Sequence, residues 1–217
     1  KRVNFLNMGV PGYNTTMSVE AFLTKWVQFN PDFVVLAFHE NDFNLPEFII
    51  RKDSPLSFRR SFLLYYLAKR LSLLSNYRPG IAHLKPTPFI ASLHKRHLIP
   101  EDYWFMFGKQ PFRRELNKLK QKCDELGIPL IVFIEKMSFK PSFLFPEAVN
   151  FAINTSKDLG VPVLEWRHQA KDYLDKNEKN IQYLQVSHRD PHANKIGHHI
   201  KGKALASFIY PYMTDYN

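Results

Sequence analysis

The stretch VNFLNMGVPGYNTTMSVEAFLTKWVQFNPDFVVLAFHENDF, residues 3–43, carries the pattern on which the fold turns. It opens on a short apolar run, 3–7, and passes through a turn containing Gly9 and Gly12. Val19, Phe22, Leu23, Trp26 and Val27 then recur at the spacing of one helix face. A second apolar run, 33–38, closes the stretch before the polar block His39-Glu40-Asn41-Asp42. Both runs are rich in Val, Leu and Phe and lack strict polar alternation, as expected of strands covered on both faces.

The same rhythm repeats outward from there. Apolar runs at 130–134 and 161–165 predict two more buried strands. Ahead of the first, Phe112, Leu116, Leu119, Cys123 and Leu126 form a helical stripe that Gly127 ends. Residues 146–159 form another, with Val149, Ala152, Ile153 and Leu159 apolar and Gly160 as the stop. A last helix from about Ile196 carries Ile200, Ala204, Leu205, Phe208, Ile209 and Tyr212. Alternating strands and helices predict an α/β domain, a parallel sheet covered by helices on both faces. Such sheets bind ligands at the carboxyl ends of their strands, which points to the loops after Asn7 and Phe38.

The 217 residues suffice for one domain, and 45% hydrophobic with 15% aromatic residues is the composition of a globular chain. The start at Lys1, running directly into an apolar stretch, is what a processed, clipped or truncated N-terminus gives; no signal peptide is legible. Cys123 is the only cysteine, which excludes an intrachain disulfide and a cysteine-based zinc site. The net charge of +10 is spread through helical stretches without a nucleic-acid-binding motif, so a solvated basic surface is the expectation and nucleic acid is not an expected partner.

Residues 44–107 interrupt the rhythm. They are rich in proline and include RRSFLLYYLAKRLSLL, from Arg59 to Leu74, too short and too charged to span a bilayer. The segment reads as an inserted helical lid or cap. A helix packed on the core is the favoured reading of Arg59 to Leu74, and an interfacial helix touching a membrane surface or an acyl substrate is the other.

Three blocks carry chemistry. In Gly9-Val10-Pro11-Gly12, after a strand and before a helix, the glycines let backbone N–H groups approach a ligand, although many such turns contain glycine for the turn alone. Asn41, at a strand's carboxyl end, can present an amide donor to the cleft; it and Asp42 can equally serve to hold the loop. In His188-Arg189-Asp190-Pro191-His192, Asp190 lies close enough to orient His192 as a general base, and Pro191 rules out a regular helix.

Taken together, in this order and these contexts, the blocks GVPG, HEND and DPHANKIGH resemble those of the SGNH (GDSL-type) hydrolase family. The resemblance covers most of the chain and is weakest over 44–107. It implies a three-layer α/β/α fold of SGNH/flavodoxin-like type and hydrolysis or transfer of an ester-linked acyl group, with no cofactor and no metal. It implies an oxyanion hole from the Gly12 backbone N–H and the Asn41 side chain, with His192 as base and Asp190 as its orienting acid. Three features depart from the family pattern. His39 stands where glycine is usual, one residue rather than two separates acid and base, and no Gly-Asp-Ser occurs. Asp53-Ser54 does not follow a buried strand, so the nucleophile is expected upstream of residue 1, on a strand lying between 3–7 and 33–38. The rival readings are a degenerate binding module that takes acylated or glycosylated ligands, and a metal-dependent hydrolase built on His188, Asp190, His192, His198 and His199.

Overall fold

The computed structural model describes residues 4–43, 101–135, 145–187 and 192–214. Among these residues the fold is α/β, with helices packed on both faces of a small parallel sheet. Its strands are β1 (Val34–Phe38), β2 (Leu130–Ile134) and β3 (Val163–Glu165), in the order β1-β2-β3. β1 pairs with β2 from Val34 opposite Leu130 to Phe38 opposite Ile134, and β2 pairs with β3 from Val132 opposite Val163. β2, paired on both sides, is buried throughout, while β1 leaves Ala37 exposed.

The pleat explains the two cores. Leu36, Phe38, Val132 and Ile134 face one layer, which contains α1 (Thr15–Ala21), α2 (Lys109–Leu126) and α3 (Phe145–Asp158). Val35, Phe133 and Leu164 face the other, with α4 (Arg167–Lys176) and α5 (Lys195–Thr214). Alternate residues of one strand therefore serve opposite cores. The helices start and stop where side-chain chemistry allows. The Asn14 side-chain Oδ1 accepts the Met17 N–H at the start of α1. Gly127, at φ 67, ends α2 as Ile128 donates back to the Cys123 carbonyl. Asn194 accepts from both the Ile196 and Gly197 N–H groups at the start of α5.

Several expectations need correction. The expected first strand is not one: residues 4–7 pair with nothing in the described sheet, and Phe5 and Leu6 are 76% and 56% exposed. An apolar run becomes a strand only when it is paired with a neighbouring edge, and this one is paired with none among the described residues. The strand expected at 161–165 is confined to Val163–Glu165, because Val161 N–H is used to close α3 against the Ser156 carbonyl and Pro162 has no N–H to give. Leu126 does not join the α2 stripe and is 46% exposed. The helix α4 was not legible as a separate stripe; only Ala170 and Leu174 are buried along it.

Of the segment read as a lid, residues 44–100, with Arg59 to Leu74, lie outside the described residues. At its end, Glu101–Met106 forms a 3-10 helix and Phe107 is buried in front of α2. No helix among the described residues is long and apolar enough to cross a membrane.

Candidate functional site at the carboxyl edge of the sheet

The carboxyl ends of the three strands collect the polar groups. After β1 the chain turns sharply through a 3-10 turn, Glu40–Phe43, which carries Asn41. The turn is closed twice between the same two residues. Asp42 N–H donates to the His39 carbonyl at 2.9 Å, and His39 N–H donates to Asp42 Oδ2 at 2.6 Å. Its far end is anchored by Phe43, fully buried against Phe112 and Phe151 edge-on and against Phe38 at a tilt.

Beside this turn, at the end of β2, Glu135 extends the parallel ladder by donating its N–H to the Phe38 carbonyl. Its carbonyl accepts the Trp166 indole N–H at 3.4 Å, and its carboxylate lies 3.4 Å from Lys201 Nζ of α5. The Lys201 ammonium also sits 5.2 Å from the centre of the Trp166 ring, so it is held between a charge and a π face. Burial pushes the Asp42 carboxyl up to about 7 against the stabilising effect of the His39 N–H, and the Glu135 charge adds to the rise.

Lys201 also fixes the direction of α5. It meets the carboxyl end of β2, while Tyr212, near the other end of the helix, stacks edge-on against Phe33 at the amino end of β1 with ring centres 5.7 Å apart. The helix therefore runs antiparallel to the strands. Lys195 lies about 9 Å beyond Lys201 at 1.5 Å per residue, so the loop holding His192 reaches the same edge as Asn41. His192 is exposed, and its carbonyl accepts the Val186 N–H next to the bridge between Gln185 and Ala193. Asn194 pins this loop from behind, donating its amide to the Tyr183 and Gln185 carbonyls. Asp190 and His188 lie outside the described residues.

Gly12 lies in an exposed Val10-Pro11-Gly12-Tyr13 turn, closed by Tyr13 N–H to the Val10 carbonyl, and its φ of 84 is the conformation a Pro-Gly turn demands. The link from this turn to the Asn41 turn is a brace that sequence reasoning missed. The Asn14 amide donates to the Met106 carbonyl at 3.0 Å, and two residues later Gly108 N–H donates to the Phe43 carbonyl at 2.9 Å. Residues 106–108 thus stitch the Gly12 and Asn41 loops together. Gly108 is buried with φ 99 and ψ −167, a backbone region open essentially to glycine.

The remaining candidates have different placements. Cys123 is fully buried in the α2 core, and burial pushes its thiol up to about 11, so it is not an activated nucleophile. His198 and His199 are exposed on α5, and no group of three or more His, Cys, Asp or Glu among the described residues is disposed to hold a metal ion. Of the signals available in sequence, only the charged residues directly after the strands, Asp42 and Glu135, could have marked this edge. Lys201, Met106 and Gly108 carried none.

The fold and site define an α/β protein with Asp42, Glu135 and Lys201 set at the carboxyl edge of a parallel sheet. Comparison of the chain with protein-family models, with curated proteins and with solved structures gives no match.

Proposed function

We propose that this chain is the greater part of an SGNH-type ester hydrolase or O-acyltransferase, with its nucleophilic serine carried on a strand upstream of residue 1. In this reading the serine hydroxyl attacks the acyl carbonyl as His192 takes its proton. Asp190 holds the imidazole in the tautomer that can accept it. Negative charge developing on the carbonyl oxygen is met by the Gly12 backbone N–H and the Asn41 side-chain amide. The leaving alcohol regains a proton from His192, and water or a second hydroxyl then releases the acyl group. The substrate is an ester on a small molecule or a polymer.

The observation that carries this reading is the direction of α5, which gives the His192 loop and the Asn41 turn the same edge of the sheet. A base at the opposite edge could not serve that oxyanion donor. The brace through Met106 and Gly108 supports it by tying the Gly12 loop to the same place. The open edge of β1 supports the upstream strand. Val34, Leu36 and Phe38 spend their backbone groups on β2, so those of Val35 and Ala37 point outward and have no partner among the described residues. An apolar strand so exposed is atypical of a parallel sheet, and in this reading the serine-bearing strand takes that edge.

The test uses the full-length protein and a fluorophosphonate probe. Labelling of a serine at a Gly-Asp-Ser turn, lost in His192→Ala, is the expected result. An upstream strand with no serine at that turn, together with no labelling, overturns the enzyme reading in favour of a cleft that binds acylated ligands without turning them over.

A further inference from the structure

The turn after β1 is built unusually tightly for four residues at the surface of a sheet edge. One carboxylate, Asp42, accepts the His39 N–H at 2.6 Å while its own N–H returns to the His39 carbonyl. Downstream, Phe43 is sealed in the ring cluster and its carbonyl is held by Gly108. Asn41 lies between these anchors, so its backbone has one fixed point on each side. The downstream anchor is apolar and has no charge to lose. The upstream anchor is a single ionisable group.

We propose that Asp42 is a positioning residue for the Asn41 turn, its carboxylate locking the turn through the His39 N–H and its protonation loosening that lock. The inference rests on the reading of Asn41 as an oxyanion donor. A hydrogen bond to a carboxylate is shorter and roughly twice as strong as one to a neutral acid. The carboxylate is held against opposition: burial disfavours it most and the Glu135 charge at the end of β2 disfavours it further, while the His39 N–H favours it. Lys201, which lies beside Glu135, is engaged with that carboxylate and the Trp166 face. The group therefore changes charge near neutral pH, where an ordinary aspartate would not.

The experiment follows two readouts in the full-length protein between pH 5.5 and 8.5: the 15N–1H shift of the His39 amide, and the rate of fluorophosphonate labelling. Wild type is compared with Asp42→Asn, which keeps an acceptor oxygen but cannot titrate, and with Asp42→Ala. The shift of the His39 amide around pH 7 should be larger in wild type than in Asp42→Asn, which keeps the imidazole of that residue but lacks the carboxyl. The ratio of wild-type to Asp42→Asn labelling, from which pH effects common to both proteins drop out, should fall about three- to tenfold between pH 8 and pH 6. Asp42→Ala should lose labelling at every pH, and Asp42→Asn should recover most of it. A His39 amide that shifts equally in wild type and Asp42→Asn, or a labelling ratio flat with pH, overturns the proposal. A titrating His39 amide with no labelling of any variant at any pH overturns instead the ester-hydrolase reading, and the positioning role with it.

Discussion

Replacing Gly108 by alanine tests the brace, and its cost can be worked from the structure. Gly108 sits at φ 99 and ψ −167, where an L side chain clashes with its own backbone. Holding alanine there costs about 1–3 kcal/mol. If the chain relaxes instead, the Gly108 N–H leaves the Phe43 carbonyl and a buried hydrogen bond worth about 0.5–1.5 kcal/mol goes with it. The expected loss is about 1–3 kcal/mol, a sizeable fraction of the roughly 5–15 kcal/mol that holds a domain together. Urea unfolding with an unchanged m-value is the assay. Gly127→Ala is the control: φ is 67, the position is exposed, and an added Cβ meets nothing within 4 Å, so the loss there should be about 1 kcal/mol. Because the brace joins the Gly12 and Asn41 loops, Gly108→Ala should also slow fluorophosphonate labelling under conditions where the protein remains folded. Equal stability for Gly108→Ala and wild type, or a smaller effect than Gly127→Ala, would refute the reasoning.

Asp42→Asn should stabilise the protein above pH 7. The folded carboxyl is raised from 3.8 to about 7, so the native state binds the extra proton and stability falls as pH rises across that window. Removing the charge should return about 1–4 kcal/mol at pH 8 and nothing at pH 3.5, read as the difference in Tm between the two proteins at each pH. In the full-length protein, His192→Ala should lower kcat for ester hydrolysis by several orders of magnitude and Asp190→Asn by about 10³–10⁴, each with little change in Tm; turnover that survives His192→Ala would send the search for the base to His188. The amides of Val35 and Ala37 in that protein should exchange slowly with solvent deuterium, because a strand on the outer edge of β1 takes their hydrogen bonds. Rapid exchange at both would exclude a strand there.

The elements legible in sequence were those whose burial is local and periodic. β2 is apolar at every position because both of its faces and both of its edges are covered, so its run of Leu, Ile, Val and Phe needed no context to be read. The stripe Phe112, Leu116, Leu119 and Cys123 is likewise written into 3.6-residue spacing, and Gly127 marks its end because a left-handed cap favours glycine. The turn with Gly12 and the polar block with Asn41 could be placed beside elements for the same reason. Leu126 and the run at 3–7 show the limit: apolar residues at the right spacing are buried only if something arrives to cover them, and that is decided elsewhere in the chain.

What the sequence by itself determined, then, is the alternation of strands and helices, the positions of the caps, and the two polar loops that follow apolar runs. Tertiary structure alone decided which residues meet. That α5 runs antiparallel to the strands follows from Lys201 reaching Glu135 at one end and Tyr212 reaching Phe33 at the other, contacts between residues 66 and 179 positions apart. The brace from Asn14 to Met106 spans 92 positions, and no local pattern announces a hydrogen bond to a main-chain carbonyl. The charge state of Asp42 depends on burial and on Glu135, neither of which is visible from the residues beside it. Periodicity is a property of neighbours along the chain, whereas the field and the hydrogen-bond partners at a sheet edge are set by neighbours in space.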